Sequence, residues 1–275
     1  YKTAWTRLSP LRAFLHDREA AGDVVGATVF TTQQATGVMS ELRTAVYTHA
    51  SVPAPLEFKY LRDHDGLCSL FTGSYDAPNF QTGEPPYLNS GGGIKVDVLG
   101  HPTPSRTERM RFALSVPNGD MPAEGWPVIL YAHGTGGDYQ TFIRETLDVR
   151  AALIELPDGP PVRMAMIGID QVLHGSRDPS HSDPEITFFN MNNLEAARDN
   201  VKQGGADDFS LLRLVENFAI DKAPGPMGAP LKDKPIRFDK NRIYFVGHSQ
   251  GGLTGPGFLA AEPKVKAAVL SGAGS

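Results

Sequence analysis

Cysteine is almost missing from this chain. Cys68 is the only one in 275 residues, so no disulfide can form within the chain, and a lone thiol inside GLCSLF reads as a small buried hydrophobe. Positive charge is not in excess either: 26 Lys and Arg against 31 Asp and Glu give a net charge of −5. With no basic cluster, nucleic acid is excluded as the main partner. No apolar run approaches the roughly 20 residues needed to cross a bilayer. Internal repeats and low-complexity segments are lacking. There is no His, Cys and carboxylate cluster with zinc spacing, and Asp63-His64-Asp65-Gly66 offers too few ligands for a cation loop, so it reads as a turn and no metal is expected. Tyr1-Lys2-Thr3-Ala4-Trp5 holds no signal-like segment, and the chain is therefore read as trimmed.

What the chain has is enough apolar content to bury a sizeable core, with 40% hydrophobic residues, and many loops, with 29 Gly and 22 Pro. Residues 9–21 have the capping Ser9, Pro10 and closing Gly22 of a short helix. A strand is expected over 23–32 and a second helix over 38–50. From 53 to 107, short strands, one of them at 93–99, alternate with Pro, Gly and Asn. Residues 1–107 are accordingly assigned to a β-rich module or extension. Regular alternation starts at residue 108. Strands are expected at 109–117, 126–133, 162–170, 242–248 and 265–272, with helical segments at 138–156, at 191–219 (weakened at Gly204–Gly205) and after residue 249. This order implies an α/β fold with a mostly parallel sheet covered by helices on both faces.

Chemistry concentrates at three strand ends. Gly247-His248-Ser249-Gln250-Gly251 fits G-x-S-x-G and follows a buried strand, the setting that a nucleophile elbow requires. Tyr131-Ala132-His133-Gly134-Thr135-Gly136-Gly137-Asp138 follows another strand, and its backbone N–H groups can stabilise a carbonyl oxygen as it becomes negative. The loop lacks the Lys-Ser/Thr of a phosphate-binding P-loop. After a third strand, Gly168 to Asp178 bring His174 and Arg177 to the same sheet edge, where they read as residues ordering the rim. Phe188, Phe189 and Met191 precede the long helix; both an acyl pocket and plain packing under a loop fit them.

These residues resemble the α/β-hydrolase family over roughly 108–275, on HGTGG, DQVLHGSRD and DKNRIYFVGHSQGG in the family's order. More narrowly, the chain is similar to exported bacterial lipase- and esterase-like hydrolases with a β-rich amino-terminal region. The resemblance implies a nucleophile at Ser249, oxyanion donors at Gln250 and in Gly134–Gly136 (Thr135 foremost) and no cofactor; His133, which precedes the loop, is expected to orient it as a structural residue. It also implies an ester substrate and an exported location. A peptidase or amidase of the same fold, and a non-catalytic binding protein on a degenerate hydrolase fold, stay open beside the esterase. Pro256 within Gly255-Pro256-Gly257 departs from the family and is expected to break or kink the helix after Ser249.

The larger departure concerns the base. All eight histidines (16, 49, 64, 101, 133, 174, 181 and 248) precede Ser249, and Glu262 is the only acid after it. The family's acid and histidine follow the serine. The expectation is therefore an incomplete sheet, cut or interrupted near Ser275, with a C-terminal fragment of the same protein as a second chain supplying both groups. A hydrogen bond from His133 or His174 to Ser249 would contradict it.

Overall fold

A computed structural model describes residues 6, 8–17, 37–229, 231 and 234–273. Residues 1–38 and 39–275 form two compact units. In the first, helix α1 (Ser9–Asp17) covers most of the helix expected there and buries no residue. The strand expected at 23–32 lies outside the described residues.

The second unit is built on one mixed sheet. Its strands are β1 (Leu56–His64), β2 (Cys68–Asn79), β3 (Arg106–Pro117), β4 (Trp126–Ala132), β7 (Ala165–Ile169), β8 (Ala219–Ile220), β9 (Ile236–His248) and β10 (Val265–Ser271). β5 (Ile154–Leu156) and β6 (Gly159–Val162) form a separate hairpin. The sheet order is β1-β2-β3-β7-β4-β9-β10, with β8 on β9. The β7, β4, β9 and β10 pairings are parallel. β1, β2 and β3 are antiparallel, as is the junction of β3 with β7. The sheet is thus mixed, with the expected parallel strands β7, β4, β9 and β10 side by side. No break falls at residue 107: β3 starts at Arg106 and pairs with β2 along its whole length, so β1 and β2 extend the core sheet. The segment 93–99, expected as a strand, makes only isolated bridges at Ile94 and Val96.

Alternation along the strands sets the two faces. Trp126, Val128, Leu130 and Ala132 of β4, with Ile243 and Phe245 of β9, join one core. That core also takes residues from α2 (Gly37–His49), α6 (Leu194–Asn217) and α7 (Gln250–Ala261). Ile129 and Tyr131 face the other core, against Phe142 and Ile143 of α3 (Thr141–Arg144) and Ala151 and Ala152 of α4 (Leu147–Ala152). The single helix expected over 138–156 is therefore two short ones, parted where Thr146 takes φ 57°. A short α5 (Pro184–Phe188) precedes α6.

Two helices overrule their weak residues. α7 runs through Pro256 instead of breaking there, although the proline has no N–H to reach back to Gly252 and its ring crowds that carbonyl. α6 runs unbroken through Gly204 and Gly205 because α7 packs onto them. A Cβ on Gly204 would run into the buried Thr254 side chain, whereas one on Gly205 would meet chiefly the mobile tip of Met39. This gives a paired prediction. Gly204→Ala should destabilise the fold by about 1–3 kcal/mol through overpacking. Gly205→Ala should be neutral or stabilising by up to about 1 kcal/mol, since Ala is the better helix former. Urea denaturation of both variants checks the order, and the reverse order would refute the packing account.

Candidate active site

The turn after β9 is held in a conformation that serine rarely adopts. Ser249 has φ 49° and ψ −109°, a strain of order 1–3 kcal/mol that survives only where surroundings over-determine it. Here they do. Ser249 N–H donates to Ser271 O of β10 at 2.8 Å, Gly252 N–H to Ser249 O at 2.8 Å, and Gly251 N–H to His133 O at 3.2 Å. A Cβ on Gly247 would strike the Gly251 carbonyl, and one on Gly251 would strike the Ala132 carbonyl. Both motif glycines are thus needed because backbone meets backbone. Gly134 lies against the serine: a Cβ there would sit 3.1 Å from the Ser249 Cβ.

A cavity of about 370 Å³ opens at this junction, bounded by Gly134 to Gly137, Thr141, Arg144, Glu145, His248 and Ser249. Thr135 Oγ1 donates to Gln250 Oε1 at 3.1 Å, which ties the glycine-rich loop to the start of α7. The backbone N–H groups of Thr135 and Gln250 have no partner among the described residues. Gly136 differs from its neighbours, because its N–H donates to His174 Nε2 at 3.0 Å and is already occupied.

His133 and His174 are both committed to backbone. His133 donates from Nδ1 to Gly134 O at 2.7 Å and accepts at Nε2 from Gln171 N–H at 2.9 Å. His174 donates from Nδ1 to Val172 O at 2.9 Å. The partners assign each ring as a neutral Nδ1–H tautomer. The rings meet edge to face at 4.9 Å. Burial pushes His133 down to about 3 and lowers His174 as well. Neither ring reaches Ser249. His248 is exposed beside the cavity and makes no hydrogen bond to Ser249 among the described residues. Glu262 is buried and paired with Arg43 at 2.8 Å.

Several residues expected at the site stand elsewhere. Arg177 is not on the rim. It is buried, bonded to Glu108 at 3.0 Å and Asp207 at 2.7 Å, and it donates to Asp170 O at 3.1 Å, bracing the 170–178 loop from beneath. Phe188 is buried with Tyr87, Val172 and Leu173, while Phe189 and Met191 are exposed; none of the three bounds the serine cavity. Arg144 and Glu145, which the sequence reading passed over, do bound it. Arg144 is held by Asp138 at 3.0 Å and Glu145 by the Tyr131 hydroxyl at 3.1 Å. The helix break at Thr146 brings them there.

The buried neutral histidines tie stability to pH. A histidine whose folded pKa lies below its unfolded value stabilises the fold fully above about pH 6.5, and that contribution is lost as pH falls towards the folded value. For His133 the window runs from about 6.5 down to about 3, with a slope of up to about 1.4 kcal/mol per pH unit. Urea unfolding between pH 7 and pH 4.5 should therefore show wild type losing stability faster than His133→Gln. Parallel curves would contradict this assignment.

Comparison with known proteins adds the fold. No protein-family model matches the chain, and no curated protein does. Among solved structures, an acetyl xylan esterase from Paenibacillus sp. R4 is similar at 14% identity and TM-score 0.53, over 89% of this chain and 61% of that one. Acetyl xylan esterase 1 from Thermoanaerobacterium sp. JW/SL YS485 gives 13% and 0.49, over 85% and 56%. A putative acetyl xylan esterase from Bacteroides fragilis NCTC 9343 gives 12% and 0.45, over 85% and 50%. The chain spans less than two thirds of each of these proteins. No helix among the described residues is long and apolar enough to cross a membrane. With its sheet order, its strained serine between β9 and α7 and this likeness, the chain has the α/β-hydrolase fold.

Proposed function

We propose that the protein is an exported serine hydrolase that cleaves carboxylic esters through an acyl-enzyme on Ser249. One observation carries the reading: a serine at φ 49° stands between two glycines that admit no Cβ, at the mouth of a cavity shared with a glycine-rich loop. The Ser249 hydroxyl attacks the ester carbonyl. The oxygen that becomes negative is received by the Thr135 and Gln250 N–H groups, whose residues are already joined by a side-chain bond of 3.1 Å. Gly136 serves the loop through His174 instead of the oxyanion. The alcohol leaves, and water releases the acid from Ser249.

The general base and its acid come from a polypeptide segment that pairs with the open edge of β10. Two observations support this. No described histidine is bonded to Ser249, and β10, last in the sheet order, exposes Val269 and Leu270 at 60% and 40%, whereas every residue of β4 is buried. An uncovered apolar strand edge invites a further strand.

Two experiments test the proposal. In the protein purified with whatever segment accompanies it, a fluorophosphonate should label the Ser249 peptide, and Ser249→Ala should lower kcat on p-nitrophenyl acetate by several orders of magnitude, on the order of 10⁶ in the best-studied case. Unchanged labelling or turnover in that variant would remove the claim. Intact-mass and gel analysis should show additional polypeptide bearing a histidine. Full, Ser249-dependent activity from this chain alone would refute the borrowed base.

A further inference from the structure

At the opposite edge of the sheet from Ser249 lies a second group of reactive side chains. His64 ends β1 and Cys68 starts β2, paired across the turn at residues 65–67. Cys68 is also level with Pro117 at the end of β3, and Ser115 of β3 with Met166 near the start of β7. That places the turn at the amino-terminal edge of the parallel strands, whereas Ser249 follows the carboxyl end of β9. Asp148, in the first turn of α4, reaches this turn from the helix whose Ala151 and Ala152 share a core with Cys68.

We propose that His64, Cys68 and Asp148 form a zinc(II) site. One atom from each, an imidazole nitrogen of His64, the Cys68 Sγ and an Asp148 carboxylate oxygen, lies within 4.8 Å of the other two. Asp148 Oδ2 is 2.7 Å from His64 Nδ1 and 3.6 Å from Cys68 Sγ. Ligands bound to zinc at about 2.0–2.3 Å in a tetrahedron stand roughly 3.3–3.7 Å apart, so the Cys68 sulfur and the Asp148 oxygen are already at ligand spacing, and the imidazole has to draw back from Asp148 to reach it. Cys68 and Asp148 are fully buried and His64 nearly so.

Hydrogen bonding alone leaves this cluster incomplete. Asp148 Oδ2 takes both contacts, and Asp148 Oδ1 is buried with no partner among the described residues. A buried carboxylate is ordinarily paired or bound to a metal, because an unpartnered buried oxygen carries its full desolvation cost. No lysine or arginine bonds to Asp148 among the described residues. A soft thiolate, an imidazole and a carboxylate together match zinc among the common divalent ions, and leave one tetrahedral position for water. On binding, the Cys68 thiol proton goes to solvent and the His64 ring proton moves to Nε2, freeing Nδ1 to ligate. The metal would tie α4 to the β1–β2 hairpin and so brace, from below, the segment that carries Arg144 and Glu145 to the cavity.

Cobalt(II) binding tests this site and does not depend on ester hydrolysis. Cys68 is the only cysteine of this chain, so a thiolate-to-cobalt charge-transfer band that is present in wild type and lost in Cys68→Ser arises there. The expected result is that band, with tetrahedral d–d absorption, saturating at one equivalent and displaced by zinc. Zinc should also raise the Tm by several degrees through preferential binding to the folded state. Cys68→Ser should lose the band, and Asp148→Asn should lose the tetrahedral absorption and the Tm shift. Absence of any thiolate band in the folded wild-type protein under excess cobalt would overturn the proposal, whatever the variants do. Equal zinc stoichiometry in wild type and Cys68→Ser would overturn it too.

Discussion

Everything at the candidate site depends on one close crossing of backbones. The first turn of α7 lies on the end of β4 so tightly that Gly251 has no room for a Cβ beside the Ala132 carbonyl, and Gly247 has none beside Gly251. Side chains cannot be interposed, so the geometry is set by peptide groups and their hydrogen bonds. Gly251 N–H to His133 O, at 3.2 Å, joins the two crossover connections. Ser249 inherits its φ of 49° from that crossing, and the same crossing brings Gly134 to within touching distance of the serine. Strain at one residue is thereby offset by two strands and a helix that have nowhere else to go.

Around this crossing, groups that commonly do acid–base chemistry are used as scaffold. His133 and His174 each spend both ring nitrogens on backbone atoms of the 133–136 and 171–174 loops, and burial keeps them neutral. Arg177 plays a related part below them, its charge balanced by Glu108 and Asp207. The one acid after the serine, Glu262, is held by Arg43. The loops that shape the cavity are consequently tied to one another without any group bound to Ser249, and a base brought to the open side of β10 would meet a site already formed.

Much of this was legible in the residues. G-x-S-x-G after a buried strand and HGTGG after another both report close backbone approach, which only glycine permits, so their positions survive into the structure intact. The apolar runs at 126–133 and 242–248 marked β4 and β9 as strands of the sheet. What failed depended on tertiary packing. Gly204 and Gly205 looked like a weak point in α6 but are where α7 docks, and Pro256 is carried by a helix packed on both the sheet and α6. The break at Thr146, which brings Arg144 and Glu145 to the cavity, has no Gly or Pro to announce it. Occupation of the Gly136 N–H depends on a histidine 38 residues away in sequence. The His64, Cys68 and Asp148 cluster was invisible for a similar reason: its carboxylate lies 84 residues from His64, and no spacing rule spans that distance.

The most direct test of the central claim is a crystal structure of the protein inhibited with an alkyl phosphonate ester, whose phosphorus mimics the tetrahedral intermediate. The account predicts a bond from Ser249 Oγ to phosphorus. The phosphoryl oxygen should lie about 2.7–3.1 Å from the Thr135 and Gln250 nitrogens, with Gly136 N–H still donated to His174. Phosphonate on another residue, or an oxygen held by neither of those two amides, would contradict it.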